Sequence, residues 1–249
     1  MTTALAFSRA PRVAALPERE VHVFRAGLDL EEECLRRLEK TLDPEETSRA
    51  ARFRFPQHRA RFIAAHGLLR SLLAAYLGVE PAGIGFTRTR YGKPALDRPP
   101  PGPHLKFNMS HSEGLALFAF AWDLELGIDL EFCKAAFPFL DVARDVFTPR
   151  EFERLRSLPP GRMPEHFFRV WTCKEAFLKA AGKGLSLAPG EIEVSLEGAP
   201  SIRPRGEPPA GSKWPLFELD PAVNYRGALV VSENPAAVRC YERPAITSG

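Results

Sequence analysis

The sequence predicts an α+β fold arranged as two halves of similar build. Its 249 residues are enough for one large domain or two smaller ones. Strand-like and helix-like segments follow one another in blocks, in the order strand, helices, strands, then helices and strands again. The second block begins around residues 122–126, so we divide the chain into residues 1–123 and residues 124–249.

Composition places the chain among globular proteins and outside several other classes. Hydrophobic residues make up 45% of the chain and charged residues 26%, which argues against wholesale disorder. No apolar run approaches the roughly 20 residues of a membrane-spanning helix, and residues 1–16 lack the hydrophobic segment of a signal peptide. The four cysteines are scattered without a CxxC pair, which argues against a zinc module and favours a cytoplasmic protein.

Helical patterns fill the middle of the first half. Residues 29–42 have leucines spaced for one helical face. Asp43 and Pro44 are then typical of an N-cap and a first helical position. A longer helix is predicted over residues 59–77, with Gly78 as its C-cap.

Strands are predicted where apolar and polar residues alternate or where short apolar runs occur. Residues 115–121 and 126–131 are predicted to form a β-hairpin that turns near Trp122 and Asp123. The polar residues 107–114 are predicted to be a loop that follows a strand. The other predicted strands cover residues 21–24, 83–86, 105–107, 192–194, 214–219 and 228–231.

Two carboxylates occur close together in the predicted strand that opens the second half. Side chains alternate between the faces of a strand, so Asp129 and Glu131 project from the same side. Adjacent carboxylates repel each other unless a cation lies between them, and oxygen ligands of this kind suit Mg²⁺ or Mn²⁺. The alternative is the solvent-facing polar side of an edge strand.

The strongest helical pattern in the chain covers residues 164–181, after a shorter helix that Thr148 opens with a capping box. Trp171, Glu175 and Lys179 are spaced by four residues and share one face of this helix. A carboxylate beside large aromatic side chains is costly unless it is paired or bound to a ligand. Glu175 is therefore either a third metal ligand or half of a surface pair with Lys179.

Polar side chains are dense between Asn108 and Gly114. Hydroxyl, imidazole and backbone N–H groups in such a stretch can bind phosphate oxygens. The alternatives are an ordinary turn and a hydrolytic pair of Ser110 and His111. Because neighbouring residues of a strand point in opposite directions, catalysis by that pair alone is not expected.

Residues 47–79 contain no acidic residue and carry several cations, so this stretch should attract polyanions. A nucleic acid or one small molecule with several phosphates would explain it equally well. The arginines in this stretch are Arg49, Arg52, Arg54, Arg59, Arg61 and Arg70.

Several short motifs, in order along residues 47–187, together resemble the 4′-phosphopantetheinyl transferase family, in its larger single-chain branch. Each motif alone is weak, but their shared order and spacing are specific. The motifs are Y-G-K-P at residues 91–94, N-M-S-H-S-E-G at 108–114, G-I-D-L-E at 127–131, W-T-C-K-E-A-F-L-K at 171–179 and G-K-G-L-S at 182–186.

The resemblance implies an enzyme that moves the phosphopantetheine arm of coenzyme A to a serine of an acyl or peptidyl carrier protein and releases 3′,5′-ADP. It also implies two similar halves related by a pseudo-twofold axis, with the active site in the cleft between them. The partners would be coenzyme A and a carrier protein, with no nucleic acid and no membrane, and the chain would be a monomer. A nucleic-acid-binding or nuclease-like protein and a non-catalytic coenzyme A sensor are the alternatives.

The family's functional residues correspond to positions of this sequence. Glu175 would be the general base for the carrier serine, and Lys179 would act on the departing phosphate. Glu46 and Phe62 depart from the family pattern, in which a basic and a small polar residue are common. The implied ligands of Mg²⁺ are Asp129, Glu131 and Glu175, and the implied coenzyme A contacts are Arg49, Arg52, Arg61, Lys93, Ser110, His111 and Lys179.

A carrier protein is acidic, so its docking surface on this chain should combine basic and apolar residues. Residues 137–146 and residues 150–156 have that composition, and the basic residues concerned are Arg150, Arg154 and Arg156.

Overall fold

The computed structural model describes residues 5–9, 15–99, 101–134, 136–182, 187–204 and 214–243. The described part is a mixed α+β protein, which confirms the predicted fold class. Its helices are α1 (Glu32–Glu39), α2 (Pro44–Ala51), α3 (Pro56–Leu77), α4 (Phe139–Val146), α5 (Pro149–Arg156) and α6 (Met163–Ala181). Its strands are β1 (Ser8–Arg9), β2 (Glu20–Gly27), β3 (Phe86–Arg88), β4 (Pro94–Leu96), β5 (Leu105–Ser112), β6 (Leu115–Trp122), β7 (Leu126–Phe132), β8 (Ile192–Ser195), β9 (Ser201–Pro204), β10 (Leu216–Leu219), β11 (Tyr225–Val231) and β12 (Ala237–Glu242).

Two sheets form the centre of the described structure. The larger has the strand order β1-β12-β2-β6-β5, and the smaller has the order β10-β11-β7. Strands β3 and β4 form one separate antiparallel pair, and β8 and β9 form another. A fully buried apolar layer, which includes Val23, Ala119, Ile128 and Leu229, lies between the two main sheets.

The other two cores lie outside this central layer. One is formed by α3 and the outer face of the larger sheet, and the other surrounds α6. Strand β12 pairs in parallel with β2, so a strand late in the chain belongs to the larger sheet. The division into residues 1–123 and 124–249, with a pseudo-twofold axis, stays a prediction.

The predicted helix boundaries agree closely with the structure because local signals determine them. The Asp43 side chain accepts a hydrogen bond from the backbone N–H of Glu46, and Glu46 reciprocates at the N-cap, so α2 begins with a complete capping box. Helix α3 begins at Pro56, three residues before the predicted start, and ends at Gly78 in the left-handed conformation. Thr148 caps α5 in the same way as Asp43 caps α2.

The predicted hairpin of residues 115–121 and 126–131 is wrong. Both strands exist, but β6 pairs with β2 and β5, whereas β7 pairs with β11 in the other sheet. Both faces of β6 are buried, with Phe118 in the α3 core and Leu117 in the central layer. Strands β6 and β7 therefore meet face to face through side chains and not edge to edge through backbone hydrogen bonds.

The predicted loop at residues 107–114 is also wrong. Strand β5 continues to Ser112, and only Glu113 and Gly114 form the turn to β6. The polar residues of this stretch occur at alternate positions and find partners on β7, so their polarity did not mark a loop. Strands β1, β4, β9 and β12 were not predicted, and the strand predicted at residues 83–86 begins only at Phe86.

Candidate active site

Strand β7 and helix α6 approach each other unusually closely at Gly127. A Cβ atom at this position would lie 2.1 Å from the carbonyl oxygen of Ala176 and 2.3 Å from the backbone nitrogen of Ala180. Only glycine permits this contact. The glycine of the G-I-D-L-E segment therefore brings the α6 backbone against β7, beside Asp129.

Asp129 is the buried centre of the site, with only 4% of its surface exposed. Its Oδ1 accepts hydrogen bonds from Ser110 Oγ at 2.9 Å and from Lys179 Nζ at 2.6 Å. Its Oδ2 is buried and has no hydrogen-bond partner among the described residues. A buried carboxylate oxygen without a partner is costly, so this atom is a position where a ligand would be stabilising.

Glu131 lies on the same face of β7, as the strand alternation predicts. Ser112 Oγ donates to its Oε2 at 3.0 Å, and the indole Nε1 of Trp171 lies 3.4 Å from its Oε1. Burial raises the pKa of Glu131, and repulsion from the Asp129 carboxylate raises it further.

Glu175 projects from α6 toward the same two carboxylates. Burial raises its pKa, repulsion from Asp129 adds to that rise, Lys179 lowers it, and Glu131 raises it again. The three acids from two distant segments therefore lie close enough to influence each other's ionisation. Among the described residues, however, no three acidic, histidine or cysteine side chains form a group ready to hold a metal ion.

Lys179 supplies the positive charge in this arrangement. Its Nζ donates to Asp129, to Ser110 Oγ at 3.1 Å and to the carbonyl oxygen of Ile128 at 3.1 Å. Its side chain is 29% exposed, so the ammonium group is still reachable from solvent. Lys179 and Ser110, which the sequence placed in one site, do meet there.

Strand β5 joins the two sheets through side chains that the sequence prediction missed. The side-chain carbonyl of Asn108 accepts from the backbone N–H of Ile128 at 2.9 Å, and Ser112 Oγ accepts from the N–H of Phe132 at 3.1 Å. These contacts satisfy N–H groups of β7, a strand at the edge of the smaller sheet. The alternation of polar residues at positions 108, 110 and 112 was the sequence signal that could have revealed these contacts.

The opposite face of β5 turns toward a second group of cations. His111 is an exposed residue, but the surrounding protein restricts its hydration and thereby lowers its pKa, as do the nearby charges of His66, Lys179 and Arg49. Arg49 also lies 5.3 Å from the centre of the Phe62 ring. Arg49, Phe62 and His66 line a cavity of about 300 Å³ in the first half.

Glu46 departs from the family pattern for a structural reason. Its Oε2 accepts from Arg70 Nε at 2.6 Å, and its Oε1 lies 2.8 Å from His66 Nδ1. Arg70 is fully buried and also donates to Asp43 Oδ2 at 2.6 Å. A basic residue at position 46 would face this buried arginine.

The remaining predicted coenzyme A contacts are less available to a ligand. Arg61 binds Asp29 with two hydrogen bonds of 2.8 and 3.0 Å and also lies 3.2 Å from Glu113. Lys93 Nζ donates to Glu125 at 2.9 Å and to the carbonyl oxygen of Leu126. Arg52 is the exposed C-cap residue of α2.

The arginine-rich stretch is less positive in the fold than it is in the sequence. Acids from other segments pair with Arg59, Arg61 and Arg70, namely Glu39, Asp29 with Glu113, and Asp43 with Glu46. The stretch itself has no acids, so sequence inspection could not reveal these long-range partners.

Comparisons with known proteins identify the family. Residues 125–230 match the profile of the 4′-phosphopantetheinyl transferase superfamily, and residues 31–122 match the N-terminal profile of 4′-phosphopantetheinyl transferases. The 4′-phosphopantetheinyl transferase HetI of Nostoc sp. is 43% identical to this chain, over 86% of this chain and 88% of its own length. This chain belongs to the 4′-phosphopantetheinyl transferase superfamily. The 4′-phosphopantetheinyl transferase Sfp of Bacillus subtilis is 31% identical, over 72% of this chain and 78% of its own length.

The family and the enzyme class predicted from the motifs are thus confirmed. The last of these motifs, at residues 182–186, lies outside the described residues except for Gly182. No described helix of the transferase combines the length and the apolar character that crossing a membrane requires.

Lys174 of the transferase has a structural role, although it is adjacent to Glu175 in the sequence. Its side chain is completely buried, 2.7 Å from Glu151 Oε2, and its Nζ donates to the carbonyl oxygens of Pro189 and Ile192. Of the two lysines in the α6 motif, only Lys179 reaches the carboxylates.

The predicted docking arginines of the transferase each form an exposed ion pair. Arg150 pairs with Glu193 at 3.3 Å, Arg154 with Glu197 at 3.2 Å and Arg156 with Glu153 at 3.5 Å. Exposed pairs of this kind are weak and exchange partners easily. The docking role of residues 137–146 and 150–156 stays a prediction.

Proposed function

We propose that this transferase moves the 4′-phosphopantetheine group of coenzyme A to a serine of an acyl or peptidyl carrier protein. The serine oxygen forms a bond to the phosphorus that carries pantetheine, the phosphoanhydride bond breaks, and 3′,5′-ADP leaves. The observation that carries the proposal is the meeting of Asp129, Ser110 and Lys179 between the two sheets. It joins the carboxylates of β7 to strand β5, where Arg49, His66 and Lys179 lie near His111.

We assign Asp129, Glu131 and Glu175 as the residues that hold the divalent cation implied by the family, Mg²⁺ or Mn²⁺. The donor set fits because it consists of carboxylate oxygens, which hard cations prefer. Oδ2 of Asp129 supports the assignment, because it is buried and has no hydrogen-bond partner among the described residues. Burial raises the pKa of Glu131 and of Glu175, and repulsion from Asp129 raises both further, so a cation would stabilise these carboxylates. When bound, such an ion neutralises charge on a pyrophosphate.

Glu175 is our candidate for the general base. Its raised pKa brings the carboxylate closer to neutral pH, where a base accepts a proton and releases it again efficiently. The proton of the carrier serine would move to a carboxylate oxygen of Glu175 as the serine oxygen attacks. Glu175 lies on the helix whose position Gly127 sets, so its distance from Asp129 is fixed by packing.

Lys179 would serve the leaving group. In the described structure its ammonium group is shared by Asp129 and Ser110 and remains partly exposed. A pyrophosphate next to Ser110 would therefore lie within reach of this ammonium group, which would stabilise the negative charge that develops on the departing phosphate.

The other coenzyme A contacts would lie on both sides of β5. Arg49 lines the cavity of the first half and lies near His111, and Arg52 is exposed close to Arg49 in sequence. Lys93 and Arg61 would first have to exchange their present carboxylate partners for phosphate. We therefore rank Arg49 and His111 above Lys93 and Arg61 as phosphate contacts.

We propose further that the transferase works in the cytoplasm as a monomer, and that the first half binds the coenzyme A phosphates while the second half binds the metal. The scattered cysteines support the location, since Cys133, Cys173 and Cys240 form no disulfide. The clustering of cations around β5 and of carboxylates on β7 and α6 supports the division of roles.

The test is mass spectrometry of apo carrier proteins after incubation with the chain, coenzyme A and Mg²⁺. We expect one serine to gain the phosphopantetheine arm, and we expect Glu175→Gln to abolish the gain. Glu32→Gln, an exposed substitution on α1, is the matched control and should react like the wild type. If no member of a panel of acyl and peptidyl carrier proteins gains the arm, the proposal fails.

A further inference from the structure

The cavity of the first half contains a histidine that the proposed reaction does not use. His66 lies on α3 and lines the cavity together with Glu46, Arg49 and Phe62. Its side chain is 18% exposed, so a ligand in the cavity could touch it. The motifs of the sequence analysis do not include this residue.

The imidazole ring of His66 is held on two sides. Its Nδ1 lies 2.8 Å from Glu46 Oε1, and its ring stacks on Phe62 with the ring centres 4.1 Å apart and the planes 29° apart. Burial opposes the ionisation of Glu46, but the hydrogen bond and charge of His66 and the charge of Arg70 lower its pKa overall. Because an ionised carboxylate can only accept, Nδ1 must carry the proton.

This orientation leaves Nε2 as the free polar atom of the ring. No hydrogen bond of Nε2 occurs within the described residues, whereas Nδ1 is fully used by Glu46. In the imidazolium form, whose charge the Glu46 carboxylate balances, Nε2 carries a proton as well and donates, and a phosphate oxygen is a strong acceptor for this donor.

The three acids that line the cavity are matched in number by Arg49, Arg70 and Arg88, so His66 does not face an excess of negative charge. Asp43 and Glu46 both accept from the buried Arg70, and Glu45 lies 3.7 Å from Arg88. The charged and titratable groups that face His66 come from α2, α3, β3 and β5. They are Asp43, Glu45, Glu46, Arg49, Arg70, Arg88 and His111.

We propose that His66, held by Glu46 and Phe62, binds the 3′-phosphate of coenzyme A through Nε2 and selects for coenzymes that carry this phosphate. The proposal rests on the proposed function and deepens it. The pyrophosphate is assigned to the Lys179 side of β5, so the anion beside His66, on the other side, is the phosphate on the ribose. Glu46 would then act through His66, whereas a basic residue at position 46 would contact the phosphate directly.

Calorimetric titration with coenzyme A and with 3′-dephospho-coenzyme A tests the proposal. The wild type should bind coenzyme A more tightly than 3′-dephospho-coenzyme A. In His66→Gln the ratio of the two Kd values should fall about tenfold, which corresponds to the loss of one charge-assisted hydrogen bond. Binding of dephospho-coenzyme A should not change in this variant. His66→Arg should retain most of the preference, because it restores a cationic donor.

Two further measurements separate a ligand contact from a structural effect. His58→Gln, at an exposed histidine on the same helix, is the matched control and should behave as the wild type. Circular dichroism and thermal melting establish that each variant is folded.

An unchanged preference for coenzyme A in folded His66→Gln would overturn the proposal. That outcome is distinct from failure of the proposed function, because carrier modification by the wild type is measured separately. If the wild type modifies the carrier protein but does not distinguish the two coenzymes, the 3′-phosphate assignment alone is wrong.

Discussion

Lys179 Nζ lies 2.6 Å from Asp129 Oδ1, while Oδ2 of the same carboxylate is buried and has no hydrogen-bond partner in the described part of the chain. One oxygen of the central acid is therefore neutralised by the protein and the other is left for a ligand. Ser110, on a strand of the larger sheet, donates to the same Oδ1. A carboxylate of the smaller sheet, a lysine of α6 and a serine of the larger sheet thus share one contact point.

Gly127→Ala should destabilise the fold and displace α6. The new Cβ would lie 2.1 Å from the carbonyl oxygen of Ala176, so backbone must move, and we expect a loss of about 3 kcal/mol or more in the free energy of unfolding. Urea denaturation measures this loss. Gly161→Ala, where nothing lies within 4 Å of the added Cβ, should change stability by less than about 0.5 kcal/mol. Equal effects of the two substitutions would contradict the packing argument.

Lys174→Met and Lys179→Met should have opposite profiles of stability and activity. The first leaves Glu151 buried without its ammonium partner and should cost about 3–5 kcal/mol of stability. The second affects a partly exposed side chain and should lower the transfer rate about 100-fold or more, with a smaller loss of stability. Urea denaturation and single-turnover transfer kinetics distinguish the two. A stable but inactive Lys174→Met variant would show that the roles are reversed.

Without metal, Glu175→Gln should make the protein more stable near neutral pH. The raised pKa values of Glu131 and Glu175 mean that the folded chain binds protons more tightly than the unfolded chain does. These two groups therefore stabilise the fold as the pH falls through their raised pKa values and destabilise it above them. Removal of the Glu175 charge should raise the free energy of unfolding by up to about 1 kcal/mol near pH 7, measured with a chelator present.

Thermal melts of wild type and Glu175→Gln between pH 5 and pH 8 check this expectation, and the gap between the two proteins should close toward pH 5. His22 is buried and has a lowered pKa, so the stability that its neutral form provides is lost as the pH falls. This effect is opposite in sign to that of the two carboxylates. Both proteins contain His22, so its effect cancels when their melting temperatures are compared. A lower melting temperature of Glu175→Gln at pH 7 would show that the carboxylates do not repel each other.

Arg49→Ala should weaken coenzyme A binding more than Arg61→Ala does. Arg49 lines the cavity and lies near His111, whereas Arg61 is already bound by Asp29 and Glu113. We expect about a tenfold rise in Kd for Arg49→Ala and a rise of less than about threefold for Arg61→Ala. Calorimetric titration measures both values. A larger effect at Arg61 would mean that it exchanges its carboxylate partners for phosphate.

The elements that the sequence predicted correctly depend on local signals. Capping residues and helical periodicity define α2, α5 and α6, because their information lies within a few residues. The pairing of β6 with β2 and β5, and of β7 with β11, depends on residues far apart in the chain. The alternation within β6 and β7 could not reveal which strands would be their neighbours.

The same distinction applies to the site. Asp129, Glu131 and Glu175 could be selected from the sequence because strand and helix spacing place them on known faces. The pairing of Arg61 with Asp29, and of Glu46 with Arg70 and His66, requires contacts over 20 or more positions. Asn108 and Ser112 were read as loop residues, so their role in joining β5 to β7 was missed.

We propose that the three carboxylates hold one divalent cation next to the coenzyme A phosphates. Electron paramagnetic resonance of Mn²⁺, titrated into the chain with coenzyme A present, measures this binding directly. We expect one bound ion per chain in the wild type and in Glu32→Gln, and loss of that ion in folded Asp129→Asn and Glu175→Gln. Unchanged Mn²⁺ binding in both site variants would contradict the claim.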